Sequence, residues 1–124
     1  IHSHRVEAFG NDSPQGRANE TSKLWWLRKS AEAGFTRAMN ELGHAYARGE
    51  GVEADEEIAS YWLRRAAEIE PEAMFNLGLL MLRNSSKTAR VEAVNWFKRA
   101  AKLGNTLAMV NLGVAFYTGE GGVQ

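Results

Sequence analysis

Cysteine is absent from the 124 residues. That excludes disulfides, zinc sites built on thiolates and a cysteine nucleophile, and it leaves the redox compartment open. An excess of charge of either sign is also missing, since 15 Lys and Arg balance 15 Asp and Glu for a formal net charge of zero. Such a chain has no broad electrostatic pull toward nucleic acid or an anionic membrane beyond what a local patch could supply, and nucleic acid is not expected as a partner. No apolar run approaches the roughly 20 residues of a bilayer-spanning helix, so direct membrane insertion is not expected either. Ile1 is not preceded by a methionine or a signal-like segment; the expectation is a fragment whose targeting sequence, if any, lies elsewhere. What the chain does have is 44% hydrophobic residues, enough for one domain with a real core.

It also has a period. Ala38-Met39-Asn40-Glu41-Leu42-Gly43, Ala73-Met74-Phe75-Asn76-Leu77-Gly78 and Ala108-Met109-Val110-Asn111-Leu112-Gly113 recur every 35 residues. Between them run Trp26-Leu27-Arg28-Lys29-Ser30-Ala31, Trp62-Leu63-Arg64-Arg65-Ala66-Ala67 and Trp96-Phe97-Lys98-Arg99-Ala100-Ala101, at intervals of 36 and 34. A fixed period of this size marks a solenoid, in which each repeat is one supersecondary unit that buries its apolar face by stacking on its neighbours.

Each repeat reads as two helices, A and B. In the first helix A, Ala38, Leu42, Ala45 and Tyr46 form one stripe at helical spacing, widened by Met39 and Gly43. Gly49-Glu50-Gly51-Val52 then stops the helix and permits a tight reversal. Asp55 is placed to cap the next helix, with Glu56 and Glu57 in the first turn where the helix dipole favours negative charge. Helix B is expected to run to about Ile69, with Ile58, Trp62, Ala66 and Ile69 on one stripe and Ala59, Leu63 and Ala67 beside it. Pro71 suits the first position of the second helix A. Two joints depart from the pattern: Glu70 replaces the terminating glycine seen at Gly34 and Gly104, and Asn84 is expected to supply the left-handed residue that Gly49 supplies in the first repeat.

The array is expected to cover residues 23–124, as a helix B, two A/B pairs and a final helix A with a truncated loop. That final helix would expose apolar residues such as Leu112 and Phe116. Residues 1–22 match helix A poorly. Asn11 to Gly16 is a loop by its turn residues, and Val6, Ala8 and Phe9 fit either a short degenerate helix or disorder.

The Leu-Gly pair followed three residues later by Tyr46, Met81 or Phe116 resembles the tetratricopeptide class. In detail Ala38, Leu42, Gly43, Tyr46, Gly49, Gly51, Val52, Asp55, Tyr61, Trp62, Ala66 and Ala67 follow a pattern similar to the Sel-one-like repeat family. The likeness spans roughly residues 24 to 123. Departures are Glu70, the missing Gly-x-Gly-Val after Arg83, and Asn95 where the earlier copies have Trp25 and Tyr61. The resemblance implies an all-α, right-handed superhelix of antiparallel helix pairs with helix A on the concave side. It also implies an adaptor or scaffold for other proteins, of the kind found among bacterial exported or periplasmic factors, with a cytoplasmic setting as the alternative.

Candidate chemistry gives way to simpler readings. Trp26, Trp62 and Trp96 offer aromatic planes for sugars or bases, but their fixed register beside alanines fits core packing better. Trp25 and Tyr61 lie off that stripe and are expected to be partly exposed. Gly43, Gly78 and Gly113 each cost a helix about 1 kcal/mol relative to alanine, and close approach of helix A to its own helix B is the expected compensation. The glycine-rich turns lack the Lys-Ser/Thr pair of a phosphate loop. His2 and His4 have no third ligand nearby in sequence, and His44 stands alone. No catalytic set, cofactor site or metal site is expected, and the chain is not read as an enzyme.

The positions turned away from the Leu42/Tyr46 stripe remain. They are Asn40, His44 and Ala47, with Arg37 and Arg48 at the edge; adding 35 gives Glu72, Phe75, Leu79, Leu82 and Arg83, then Leu107, Val110, Val114, Tyr117 and Thr118. This face grades from polar and basic to apolar, as suits a groove with an apolar anchor site and arginines that pair with carboxylates. Packing of Phe75, Leu79 and Val110 between successive A helices is the competing reading. The leading expectation is therefore a protein or peptide held on the concave face by Arg37, Asn40, His44, Arg48, Phe75, Leu79, Arg83, Val110, Val114 and Tyr117. A cell-wall glycan-binding or hydrolase-like role, suggested by the family resemblance, and self-association through open repeat ends are the alternatives.

Overall fold

The computed structural model describes residues 21–118, with side chains through Val114. His2, His4 and the candidate degenerate helix lie outside the described residues, as do the side chains of Phe116 and Tyr117. The described residues form six α-helices and no strand: α1 (Ser22–Glu32), α2 (Thr36–Arg48), α3 (Glu56–Ala66), α4 (Pro71–Leu82), α5 (Lys87–Lys102) and α6 (Thr106–Thr118). None of these helices is long and apolar enough to cross a membrane.

Short polar side chains start most of the helices by accepting from backbone amides that have no partner within the helix. Thr21 Oγ1 accepts from the Leu24 amide at 3.3 Å, Asp55 Oδ1 from Ile58 at 3.1 Å, Ser86 Oγ from Ala89 at 3.0 Å and Asn105 Oδ1 from Ala108 at 2.8 Å. Pro71 opens α4, where its missing N–H removes no helical bond.

Helices α2, α4 and α6 are the A helices, and α1, α3 and α5 the B helices. Each packs chiefly on its neighbours in the chain, and α2 also meets α4. The result is an all-α solenoid of helix pairs with one continuous core. The expected stripe of Ala38, Met39, Leu42, Gly43, Ala45 and Tyr46 is buried throughout. Leu42, Leu63 and Leu77 are fully enclosed, each contributing about 1.5–3 kcal/mol relative to an exposed position. At Gly43 and Gly78, α2 meets α3 and α4 meets α5 closely. A Cβ on Gly43 would stand 2.7 Å from Leu63 Cγ and 3.1 Å from the Ala59 carbonyl oxygen; on Gly78 it would stand 2.5 Å from Phe97 Cε1. Among the described residues, a Cβ on Gly113 would meet nothing within 4 Å.

Three expectations change. The first concerns the end of α3, which stops at Ala66, so that Ile69 is exposed. Gly34 and Gly104 turn the other B-to-A joints at φ 102° and 94°. Without such a glycine, the chain leaves α3 early through a turn and enters α4 with Glu70 extended at φ −91°. Second, Trp62 is buried and Trp96 half-buried, but Trp26 is 62% exposed. The cause is position in the stack, since α3 and α5 each lie between two helices, whereas α1 has only α2 packed on it among the described residues. Third, α4 ends with Arg83 in the right-handed region, and Asn84 acts through its side chain, Oδ1 accepting from the Ser86 amide at 2.8 Å.

Candidate binding groove

A cleft of about 570 Å³ lies between α1, α2 and α4. One wall is α1, through Lys23, Leu24 and Leu27; its floor is α2, through Asn40, Glu41, His44 and Ala45; its far wall is α4, through Glu72 and Asn76. Glu50 and Gly51 close one end beside Thr21, where the Thr21 amide donates to the Gly51 carbonyl at 3.1 Å. A smaller hollow of about 50 Å³ follows between α2 and α4, lined by residues including His44, Arg48, Leu79 and Arg83. His44 borders both.

The ten sequence-derived positions therefore divide. Asn40 and His44 meet in the main cleft, and His44, Arg48, Leu79 and Arg83 meet in the smaller hollow. Arg37 is exposed, 3.6 Å from Glu41, and lines neither hollow. Arg48 pairs with Glu50 at 2.9 Å. Arg83 reaches across the repeat boundary, donating to the Ala47 carbonyl at 2.8 Å and lying 3.4 Å from Glu56. It is a staple between repeats, satisfying a carbonyl near the end of α2 that the helix leaves unpaired. Phe75 is buried, its ring 5.7 Å from that of Phe97. Its role is packing between α4 and α5. Val110 and Val114 are exposed on α6 and do not line the cleft, and the Tyr117 side chain is not among those described.

Lys23, Leu24, Leu27, Glu41 and Asn76 line the cleft but escaped the sequence reading. Adding 35 to Asn40 leads to Phe75, yet the residue that meets Asn40 is Asn76, whose Nδ2 donates to Asn40 Oδ1 at 3.0 Å. The Arg83–Ala47 link also joins residues 36 apart. The one available signal was the 36-residue spacing of Trp26 and Trp62.

Charge in the cleft is mixed. Glu41 and Glu50 have arginine partners, while Lys23 and Glu72 have none among the described residues. Outside the cleft, Glu92 on α5 accepts from Arg64 at 2.8 Å and from Trp96 Nε1 at 3.2 Å, joining two B helices. The Arg64 hydrogen bond holds the Glu92 carboxyl below its usual range, against a smaller opposing effect of burial. No group of three His, Asp or Glu suited to a metal ion occurs among the described residues.

The Sel1 repeat family model matches residues 24–35, 36–69, 71–105 and 106–124. Two solved structures are similar. A protective antigen of uropathogenic Escherichia coli displaying an SLR fold superposes with a TM-score of 0.77 and 37% identity over 94% of this chain. This chain spans only 26% of the length of that antigen. A Sel1 repeat protein from Oxalobacter formigenes gives a TM-score of 0.63 and 33% identity, covering 80% of this chain and 76% of that one. No curated protein matches the chain. Sel1 repeat arrays are generally non-catalytic scaffolds for protein–protein interaction, and on the four consecutive matches and the shared fold this chain belongs to the Sel1 repeat family.

Proposed function

We propose that the array is a protein-interaction module that holds a peptide segment of a partner on its concave A-helix face, in the cleft between α1, α2 and α4. The observation that carries this reading is the cleft itself, about 570 Å³ built from three helices, with apolar Leu24 and Leu27 beside polar Asn40, His44 and Asn76 and the uncompensated charges of Lys23 and Glu72. A few placed polar groups on a mostly rigid helical wall are what orient a bound chain. A peptide selected from a random display library on the full chain tests it by NMR titration, which suits a 13.8 kDa protein. Amide shifts concentrated at Asn40, His44, Glu72 and Asn76 support the reading. Shifts confined to α3 and α5, or the failure to select any binder, overturn it.

A second reading, self-association, draws on α6, where Leu107, Met109, Val110 and Val114 are all exposed. Light scattering over a concentration series decides it, and a constant monomer mass removes it.

A further inference from the structure

We infer that Asn40 and Asn76 form a paired-amide reader for the main chain of an extended peptide, an inference that deepens the groove reading and rests on it. Asn40 is only 4% exposed, although it lines the cleft. Its carbonyl oxygen accepts from Asn76 Nδ2 at 3.0 Å across the α2–α4 boundary. That single bond leaves both Asn40 Nδ2 hydrogens and the Asn76 Oδ1 without a partner among the described residues. Asn76 is half-buried, but the Asn40 amide is buried, and buried polar groups are ordinarily hydrogen-bonded, so a donor left this unsatisfied needs an explanation beyond packing.

The leftover groups include an amide donor on Asn40 and a carbonyl acceptor on Asn76. They complement the C=O and N–H of a peptide unit. Exchanging oxygen and nitrogen on both side chains still leaves one donor and one acceptor, with the roles of Asn40 and Asn76 exchanged. Recognition of this kind anchors a chain through its backbone, and specificity then falls to neighbouring walls that accept its side chains. Leu24 and Leu27 provide an apolar wall, and Lys23 and Glu72 provide charges of opposite sign. A sugar would also satisfy the two amides, but among the described residues no Phe, Tyr or Trp lines the cleft to give the broad stacking surface that sugars favour. At the position of Asn40, the other two copies of the motif carry apolar Phe75 and Val110. The repeat architecture therefore does not demand a polar residue there.

The test uses the library-selected peptide and a set of its single N-methyl derivatives, with affinities by fluorescence anisotropy and stability by thermal melting. The expected result is that one N-methyl position weakens binding to the unaltered protein about tenfold, the loss of one well-made hydrogen bond to a desolvated site. The Asn40→Leu/Asn76→Leu protein should bind the unmethylated peptide about tenfold more weakly and no longer discriminate that methyl. It should also melt at or above the original temperature, because an under-satisfied pair has been replaced by apolar side chains; a pair that served the fold alone would lower it. Asn40→Asp is the companion variant if the double change fails to fold. It still accepts from Asn76 but donates nothing, and the same loss of methyl discrimination is expected. A peptide that shifts the cleft amides yet ignores both the substitutions and the methyl groups overturns the paired-amide inference and leaves the groove reading intact. Selection of no peptide overturns both.

Discussion

Gly43, Gly78 and Gly113 occupy the same place in three copies of one motif, but their surroundings differ. The first two are filled by side chains from the following B helix, Leu63 and Phe97, at distances that leave no room for a Cβ. The third meets no neighbour among the described residues. The leucines next to them follow suit, since Leu42 and Leu77 are fully buried while Leu112 is partly so. The motif is thus a local instruction that yields stability only where a neighbouring helix packs against it, as a stacked array requires.

The strongest test of this contrast is truncation of the paired leucines. Leu77→Ala should lower unfolding free energy by about 2–5 kcal/mol, because it leaves a cavity in a close-packed layer. Leu112→Ala should lower it by about 1 kcal/mol or less, in keeping with its partial exposure. Urea denaturation followed by circular dichroism reads both, and equal losses would break the comparison. The glycines sharpen it further. Gly78→Ala should destabilise by about 1–2 kcal/mol, as the penalty of pushing Phe97 aside exceeds the gain in helix propensity. Gly113→Ala has only the propensity term and should stabilise α6 by up to about 1 kcal/mol. The two substitutions therefore shift the melting temperature in opposite directions.

The smallest effect concerns how the B helices are tied together. Glu92 has a lowered folded-state pKa because Arg64 hydrogen-bonds its ionised form. Its contribution is therefore present above the unfolded carboxylate pKa near 4.3, and it is lost as pH falls through the lower folded value. With the Arg64 and Glu92 side chains 45% and 36% exposed, solvent screening limits the pair to about 0–1 kcal/mol. Glu92→Gln should remove that increment at neutral pH and flatten the stability profile between about pH 5 and 3. Melting curves across that range check it, and an unchanged acid limb would mean that the Arg64 contact adds nothing.

Much of this was legible in residue order. Asp55 was recognisable as a cap because a carboxylate at the end of a loop, followed by Glu56 and Glu57, suits the exposed amides of a helix start, and it accepts from the Ile58 amide. Close approach at Gly43 and Gly78 followed from the cost of helical glycine. The candidate groove was less legible. Counting by 35 put Phe75 opposite Asn40, but the helices cross with an offset that puts Asn76 there. Arg83 read as a free cation for a ligand, yet it spans the repeat boundary to the Ala47 carbonyl.

Period, caps, turn glycines and the apolar stripes are properties of spacing and local backbone geometry, and these can be counted along the chain. Whether a stripe is covered, which asparagines meet and what an arginine reaches depend on how helices some 36 residues apart settle against each other. Trp26 and Trp62 show the difference. They have the same motif and the same helical register, yet one is exposed and the other buried, because burial belongs to the neighbour that covers a side chain as much as to the side chain itself.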